Sequence, residues 1–344
     1  MVLNTNDEVP LQIYSTCCSS KGADSASYLK HVVDVARWSE EAGCQGMLVY
    51  ADNGIVDAWT VSQAILASTK AICPLVAVQP VYMHPFTVAK KISSLAFLYQ
   101  RRISLNLLAG GFRNDLLALG DPTPHDERYT RLVEYTKIIQ GLCENPRGIT
   151  LDGAYYSVQN LKLNPPLPKD LQPLYMMSGS SPAGMAAANE TGVTAIQYPE
   201  PATNGVSSVV DRNSTCQSTG VRVGIIARST REEAWKIAEE RFHKDRRGEL
   251  THHLAMKTSD SHWHQQLSKQ KERPGGEDSC YWMRPFHTYK TFCPYLVGSY
   301  DQIAIEISSY IAQGHRTFVL DIPASELELT HVNTVFGQLS IPTQ

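Results

Sequence analysis

Short apolar segments typical of β-strands alternate with longer amphipathic segments along the whole chain, and this alternation most constrains the fold. Eight segments have the length and composition of strands: Leu11–Thr16, Gln45–Tyr50, Ile72–Gln79, Arg102–Leu107, Pro173–Met177, Val193–Gln197, Val221–Ala227 and Thr317–Asp321. Helical periodicity marks segments between or after them: Ser27–Ala42, Trp59–Thr69, Thr87–Leu98, Arg128–Leu142, Ser181–Glu190, Arg231–Phe242 and Tyr300–Gln313. The repeat predicts an α/β fold, a (β/α)8 TIM barrel. A doubly wound open sheet is the alternative, weakened because no G-x-G-x-x-G motif follows the first strand.

Composition and charge restrict the class of protein. The 344 residues, 42% of them hydrophobic, suffice for one large barrel, and we expect a single domain over residues 1–344. A net charge of −3 predicts no nucleic-acid and no membrane partner. The eight cysteines form no C-x-x-C pair, which is typical of reduced thiols in a cytoplasmic protein.

Two segments interrupt the repeat, at about 110–124 and 248–295. Long insertions after barrel strands usually build or cover the active site, so both predict structure at the C-terminal mouth of the barrel. The second insertion contains the histidine-rich stretch Thr251–Gln266, which lacks the H-E-x-x-H pattern of a metal site. We interpret this stretch as a solvated loop and predict no metal. We interpret the polar segment Pro199–Thr219 as a shortened crossover.

Two predicted helix starts have features of an anion site. The stretch SGSSPAG, Ser178–Gly184, follows the fifth strand and opens a helix with Pro182 in its first turn. Its unpaired backbone N–H groups and serine hydroxyls predict a phosphate site, with a serine-capped helix lacking any ligand as the alternative. The stretch PHDERY begins a second helix, with His125 and Tyr129 on one face. Two such starts at one mouth favour a phosphorylated cofactor.

Seven segments occur in an order that is found in one known family. They are DAW (Asp57–Trp59), LVAVQP (Leu75–Pro80), SLNLLAGG (Ser104–Gly111), HDERY (His125–Tyr129), LYMMSGSSPAG (Leu174–Gly184), STREEAW (Ser229–Trp235) and LVGSYDQIAIEISSYIAQGHRTFVL (Leu296–Leu320). Together they resemble the bacterial luciferase-like flavin monooxygenases, most of all the alkanesulfonate monooxygenase branch. The resemblance extends from about Leu11 to about Leu327.

This resemblance implies a barrel that binds reduced FMN (FMNH2) delivered by a separate flavin reductase. Dioxygen, O2, would add to the flavin to give a peroxyflavin that oxygenates a substrate. The resemblance implies eight cofactor-binding residues: Ser180 and Ser181 at the FMN phosphate, His125 and Tyr129 along the phosphate and ribityl chain, Asn106 and Gly110 at the flavin edge, and Ala51 and Gln79 near the ring.

The chain departs from the alkanesulfonate branch where that branch binds and protonates its substrate. Ile55 replaces a cysteine before the DAW motif. On the seventh strand Gly224 replaces a histidine, or Arg228 does so if the alignment gap is placed differently. The arginine of that strand is retained as Arg222. We therefore expect a substrate other than a simple sulfonate. The predicted catalytic residues are Arg222 together with three mouth-loop candidates able to exchange protons or supply positive charge: His84, His287 and Lys290.

The predicted function is oxygenation of a small organic substrate, such as a secondary-metabolite intermediate, either free or tethered to a carrier protein. One alternative is an F420-dependent hydride-transfer enzyme on the same barrel. Another is a flavin-binding protein without catalysis. The resemblance also implies that the protein forms a homodimer or a homotetramer.

Overall fold

The structure, a computed structural model, describes residues 10–201, 219–259 and 261–339. In this part of the chain the strands are β1 (Gln12–Thr16), β2 (Gly46–Val49), β3 (Cys73–Val78), β4 (Ser104–Leu107), β5 (Ile149–Asp152), β6 (Ser157–Leu161), β7 (Tyr175–Ser178), β8 (Thr194–Gln197), β9 (Thr219–Arg228), β10 (Tyr281–Trp282), β11 (Tyr295–Ser299) and β12 (His315–Leu320). Most of the predicted crossover Pro199–Thr219 lies outside the described residues.

Eight of these strands close into a parallel barrel. The order around it is β1, β2, β3, β4, β7, β8, β9 and β12, and β12 pairs with β1 to complete the ring. The barrel strands overlap all eight predicted segments. The (β/α)8 TIM barrel is therefore confirmed, and the open-sheet alternative is wrong because no edge is left between β12 and β1.

The helices that surround or extend the barrel are α1 (Ser25–Glu41), α2 (Ala58–Ser68), α3 (Pro85–Tyr99), α4 (Arg113–Ala118), α5 (His125–Glu144), α6 (Pro182–Thr191), α7 (Arg231–Arg241), α8 (Arg246–Thr258), α9 (His262–Ser268), α10 (Arg284–His287), α11 (Tyr300–Ala312) and α12 (Glu326–Gly337). Local sequence explains several helix starts. Asp57 of the DAW motif accepts from the Thr60 N–H, and Ser299 and Gln302 form a capping box.

The interpretation of Thr251–Gln266 as a solvated loop is wrong. Helices α8 and α9 cover most of this stretch, and His252 and His264 are buried. The inward positions of these helices pack on aromatic side chains such as Phe286, whose ring centroid lies 4.9 Å from that of His252 and 5.1 Å from that of His264. The short strand β10 pairs antiparallel with β11, and β11 pairs in parallel with the second half of β9, residues 224–228, outside the barrel ring.

The buried apolar residues fill the barrel and the layer between barrel and helices. Residues such as Val76 on β3, Leu105 on β4 and Val223 on β9 are fully enclosed. Among the described helices, none is both long and apolar enough to cross a membrane.

Candidate active site

A cavity of about 290 Å³ opens at the carboxyl ends of the barrel strands. Its lining includes all eight predicted cofactor-binding residues: Ala51, Gln79, Asn106, Gly110, His125, Tyr129, Ser180 and Ser181. Arg222 and Lys290 also line it. The mouth of a TIM barrel is where catalytic sites of this fold lie, because the loops after every strand converge there.

The start of helix α6 forms one end of the cavity. Ser181 is the N-cap residue, and its Oγ accepts from the Gly184 N–H at 3.1 Å. The neighbouring Ser180 Oγ is buried and has no hydrogen-bond partner in the structure. Helix N-termini attract anions through unpaired N–H groups and the helix dipole. A buried hydroxyl without a partner next to such a terminus is well placed to bond an anionic ligand.

Helix α5 brings a second N-terminus to the same place. The ring of His125 meets that of Tyr129 edge-on, with 5.2 Å between centroids, and His125 Nδ1 lies 2.7 Å from Asp126 Oδ1. Tyr129 packs directly on the glycines of the SGSSPAG turn. A Cβ added at Gly179 would lie 2.6 Å from the Tyr129 hydroxyl, and one added at Gly184 would lie 3.1 Å from its ring. Only glycine therefore allows the two helix starts to approach this closely.

Polar side chains continue along the cavity wall. Asn106 Oδ1 accepts from Ser178 Oγ at 2.9 Å, and the Tyr82 hydroxyl donates to Asn53 Oδ1 at 2.8 Å. Gly110 adopts a left-handed φ of 96°, and a Cβ there would lie 3.2 Å from Gln79 Oε1. The backbone after β4 can therefore face the cavity without a side chain between it and a ligand.

The cavity also contains a buried cation. Arg222 on β9 is 6% exposed; its Nη2 donates to the Tyr50 hydroxyl, while its Nε has no partner. Burial lowers the pKa of Arg222, but the neighbouring Tyr50, Tyr198, Cys293 and Asp321 outweigh burial and raise it. Burial raises the pKa of Tyr198 to about 12. At neutral pH the phenols are therefore neutral while the guanidinium keeps its charge.

Asp321 follows β12 and is the carboxyl group of this cluster. Burial raises its pKa, although the nearby Arg222 and hydrogen bonds from the Tyr295 hydroxyl and the Ile322 N–H oppose the increase. The Tyr295 hydroxyl donates to Asp321 Oδ2 at 2.8 Å. Arg222 and Asp321 therefore lie near enough at one end of the cavity for each to shift the pKa of the other.

Helix α9 from the second insertion covers the cavity. Trp263 stacks on Tyr198 at 4.1 Å between centroids, and the ring of His264 stands edge-on to Phe112 at 6.0 Å. His264 is fully buried, and neither of its ring nitrogens has a partner in the structure. Burial lowers the pKa of His264 to about 3, so its imidazole is neutral at physiological pH.

The other two predicted catalytic residues lie outside the cavity lining. His84 Nδ1 accepts from the Phe86 N–H at 3.2 Å and begins helix α3 as its N-cap, with its ring against Tyr156. His287 ends the short helix α10, 6.0 Å from the ring of His252. Their positions give no geometric support to a role in proton transfer here. Lys290 stands at the rim, paired with Asp245 at 2.7 Å.

Sequence reasoning missed five residues of this site: Tyr50, Tyr198, Trp263, His264 and Asp321. Tyr50, Tyr198 and Asp321 each stand at or just after a predicted strand end, which is a usable signal in a barrel. Trp263 and His264 lie in the stretch interpreted as a loop, where an aromatic among histidines was the available sign of burial.

The fold and the cavity define a TIM-barrel protein with a mouth site suited to a ligand that is anionic at one end. The chain belongs to the luciferase-like monooxygenase family, whose model matches residues 11–317. The members of this family are oxidoreductases. The broader resemblance seen in the sequence is thereby confirmed, whereas the comparisons do not single out the sulfonate branch.

Three relatives illustrate the similarity. The 4-(gamma-L-glutamylamino)butanoyl-[BtrI acyl-carrier protein] monooxygenase BtrO of Niallia circulans is 32% identical over 318 residues, covering 92% of this chain and 93% of the relative. The EDTA monooxygenase of Chelativorans sp. BNC1 has a TM-score of 0.71 at 16% identity, covering 96% of this chain and 95% of its own. The long-chain alkane monooxygenase LadA has a TM-score of 0.73 at 15% identity, covering 97% of both chains.

Proposed function

We propose that this protein is a two-component monooxygenase that binds reduced FMN from a separate flavin reductase and uses O2 to oxygenate an acyl substrate. The observation that carries the proposal is that helices α5 and α6 begin side by side at the cavity, with the buried Ser180 hydroxyl beside them lacking a hydrogen-bond partner. Family membership supports flavin chemistry, and the paired helix starts support a phosphorylated cofactor.

The residues present fit FMN. The phosphate would be held by Ser180, by the α6 N-terminus that Ser181 caps, and by the side chains of His125 and Tyr129. A larger side chain at Gly179 would push Tyr129 out of this arrangement. Asn106 and Gly110 would lie at the edge of the ring system, with Ala51 and Gln79 near its plane. The bound flavin would supply the electrons needed to activate dioxygen.

The chain's own contribution to the reaction is charge and the exclusion of water. We assign to Arg222 the stabilisation of negative charge on the reacting groups, because its Nε is buried and has no partner. Trp263 and His264 would close the site against solvent, and the exclusion of water would prevent unproductive side reactions. Lys290, at the rim, would guide an anionic group inward.

For the substrate we propose the acyl group of a carrier-bound thioester. The relative at 32% identity is named for a substrate of this kind, on the BtrI acyl-carrier protein. The cavity opens at the barrel mouth, so an acyl chain on a flexible arm can enter while its carrier stays outside.

Two alternatives have less support. An F420-dependent enzyme would need a basic mouth for the acidic tail of that cofactor. Among the described residues that line the cavity, cations and carboxylates are equal in number: Lys21, Arg222 and Lys290 against Asp52, Asp115 and Asp321. A flavin-binding protein without catalysis has no need for a buried, incompletely bonded arginine, because such a group costs stability.

The test is an anaerobic titration with FMN, FMNH2 and F420, followed by turnover. We expect FMNH2 to bind more tightly than FMN and F420 not to bind. The loaded enzyme, given isotopically labelled dioxygen and 4-(γ-L-glutamylamino)butanoyl-loaded BtrI carrier, should place one labelled oxygen atom in the acyl group. Binding of F420 alone would instead establish hydride transfer. Flavin binding without any oxygen uptake in the presence of substrate would favour the non-catalytic alternative.

A further inference from the structure

Helix α8 carries an exposed stripe of defined chemistry. Arg246, Leu250 and Leu254 follow one another at four-residue intervals and Lys257 comes three residues later, so the four side chains share one face of the helix. Leu250 is 62% exposed and Leu254 54%, and both cations are exposed as well. We call these four residues the α8 face. It has an apolar centre with a positive charge at each end.

The α8 face lies on the rim of the active-site cavity. At the start of α8, Asp245 pairs with the cavity-lining Lys290 at 2.7 Å. Just after the end of α8, Ser259 forms an isolated β-bridge with the cavity-lining Phe112. The opposite side of the helix is anchored inward by the buried His252. Helix α8 therefore spans the mouth with its inner side packed and its outer side in solvent.

Two more exposed leucines lie on the short segment that follows Phe112. Leu117 and Leu119 are each 47% exposed, and they lie at the end of α4, five or more residues beyond Phe112. Because Phe112 pairs with Ser259, α4 begins beside the end of α8. Solvent-exposed apolar groups that adjoin an active-site entrance and are edged by charge are typical of a site for another protein.

We propose that the α8 face docks the acidic carrier protein that delivers the substrate as a thioester on a flexible arm. This rests on the proposed function, since only a carrier-bound substrate requires such a surface. The leucines would pack against an apolar patch on the carrier, and Arg246 and Lys257 would pair with carboxylates around that patch. Rim charges of this kind mainly set association rate and partner choice.

A second copy of this chain fits the α8 face less well. A two-fold contact places identical surfaces against each other, with the two helices either antiparallel or parallel. Antiparallel helices would place Arg246 of one copy against Lys257 of the other, and parallel helices would place each cation against its own equivalent, so the charged ends would repel in both cases. A partner with carboxylates at both ends avoids this repulsion, which favours the acidic carrier.

The first test measures binding. The probe is the fluorescently labelled, acyl-loaded BtrI carrier, titrated with the FMN-loaded wild-type enzyme and with the double variant Arg246→Glu/Lys257→Glu. We expect the double variant to bind roughly tenfold or more weakly at low salt, with the difference shrinking at high salt. The matched control reverses two exposed charges that lie away from the mouth, Lys70→Glu/Arg147→Glu, and it should bind as the wild type does. Lys70 precedes the barrel strand β3, and Arg147 follows the C-terminal end of α5, whose N-terminal end lies at the mouth. Equal binding by wild type and the α8 variant would overturn the proposal.

The second test separates docking from chemistry. The same acyl group is supplied on pantetheine, without any carrier protein. We expect the α8 variant to raise KM for the carrier-bound substrate and to leave turnover of the pantetheine thioester unchanged. Similar losses with both substrates would contradict docking. If the wild type binds the carrier but oxidises neither thioester, the proposed substrate is wrong while the docking surface stands.

The double variant Leu250→Ser/Leu254→Ser examines the apolar centre in the same assays and should also weaken carrier binding. Unchanged FMN affinity would show that both variants remain folded. The mass of each variant in solution provides a final check. A change from an oligomer to a monomer would identify the α8 face as a contact between copies of this chain and would overturn carrier docking.

Discussion

The two adjacent serines at the start of α6 have different structural roles, so replacing each one separates cofactor binding from stability. Ser181 caps the helix through its bond to the Gly184 N–H, whereas the buried Ser180 hydroxyl has no partner. Ser181→Ala should lower the free energy of unfolding by about 1 kcal/mol, the usual value of an N-cap. Ser180→Ala should leave it unchanged or slightly raised, because no hydrogen bond is lost in the unliganded protein.

Ser180→Ala, which should not lower the stability, is expected to weaken the binding of FMNH2. A hydrogen bond to a charged group contributes about 2 kcal/mol, so Ser180→Ala should raise the Kd of FMNH2 roughly 30-fold. Urea unfolding without flavin measures the stabilities, and anaerobic absorbance titration measures the affinities. Riboflavin, which lacks the phosphate, is the control ligand and should bind both proteins alike. Wild-type FMNH2 affinity in Ser180→Ala, or an equal loss with riboflavin, would refute the assignment of this serine to the phosphate.

Three further changes test other parts of the site. Gly179→Ala should sharply lower the affinity for FMN, since the new Cβ would lie 2.6 Å from the Tyr129 hydroxyl. An FMN affinity equal to that of the wild type would contradict the close packing of Tyr129 on Gly179. Arg222→Lys should lower turnover about hundredfold with little change in FMN affinity, and unchanged turnover would exclude Arg222 from the reaction. Burial lowers the pKa of His252 to about 4 and of His264 to about 3. As pH falls below 6.5, these histidines bind protons in the unfolded state before they do so in the folded state. Their contribution to the free energy of unfolding is therefore complete above pH 6.5 and declines as pH falls toward 4. Urea unfolding at several pH values should show a smaller decline in His264→Phe, and identical profiles would count against this linkage.

The barrel could be predicted because its signal is repeated. Each strand is a short apolar run bounded by helical periodicity, and eight such units leave few alternative folds. The cavity end near Ser180 could also be predicted, since helix-start chemistry is local in sequence. Ser181 and Pro182 together define the first turn of α6 without reference to the rest of the chain.

The other end of the cavity depends on contacts between distant segments. Arg222 and Tyr50 are 172 positions apart, and Tyr295 meets Asp321 only because β9 extends beyond the barrel to pair with β11. Similarly, the charged and histidine-rich composition of α8 and α9 is typical of a loop. Only the tertiary structure shows that Phe286 and Phe112 pack against their histidines. Tertiary packing, rather than local propensity, decides these features.

The central claim is that the starts of α5 and α6 bind the phosphate of FMN, and a crystal structure of the FMN complex tests it most directly. The account predicts the phosphate at the α6 N-terminus, within hydrogen-bonding distance of Ser180 Oγ and beside Tyr129. The isoalloxazine ring should extend along Asn106 and Gly110 toward Arg222. A phosphate bound at Arg222 instead, with the Ser180 hydroxyl still unpartnered, would contradict the account.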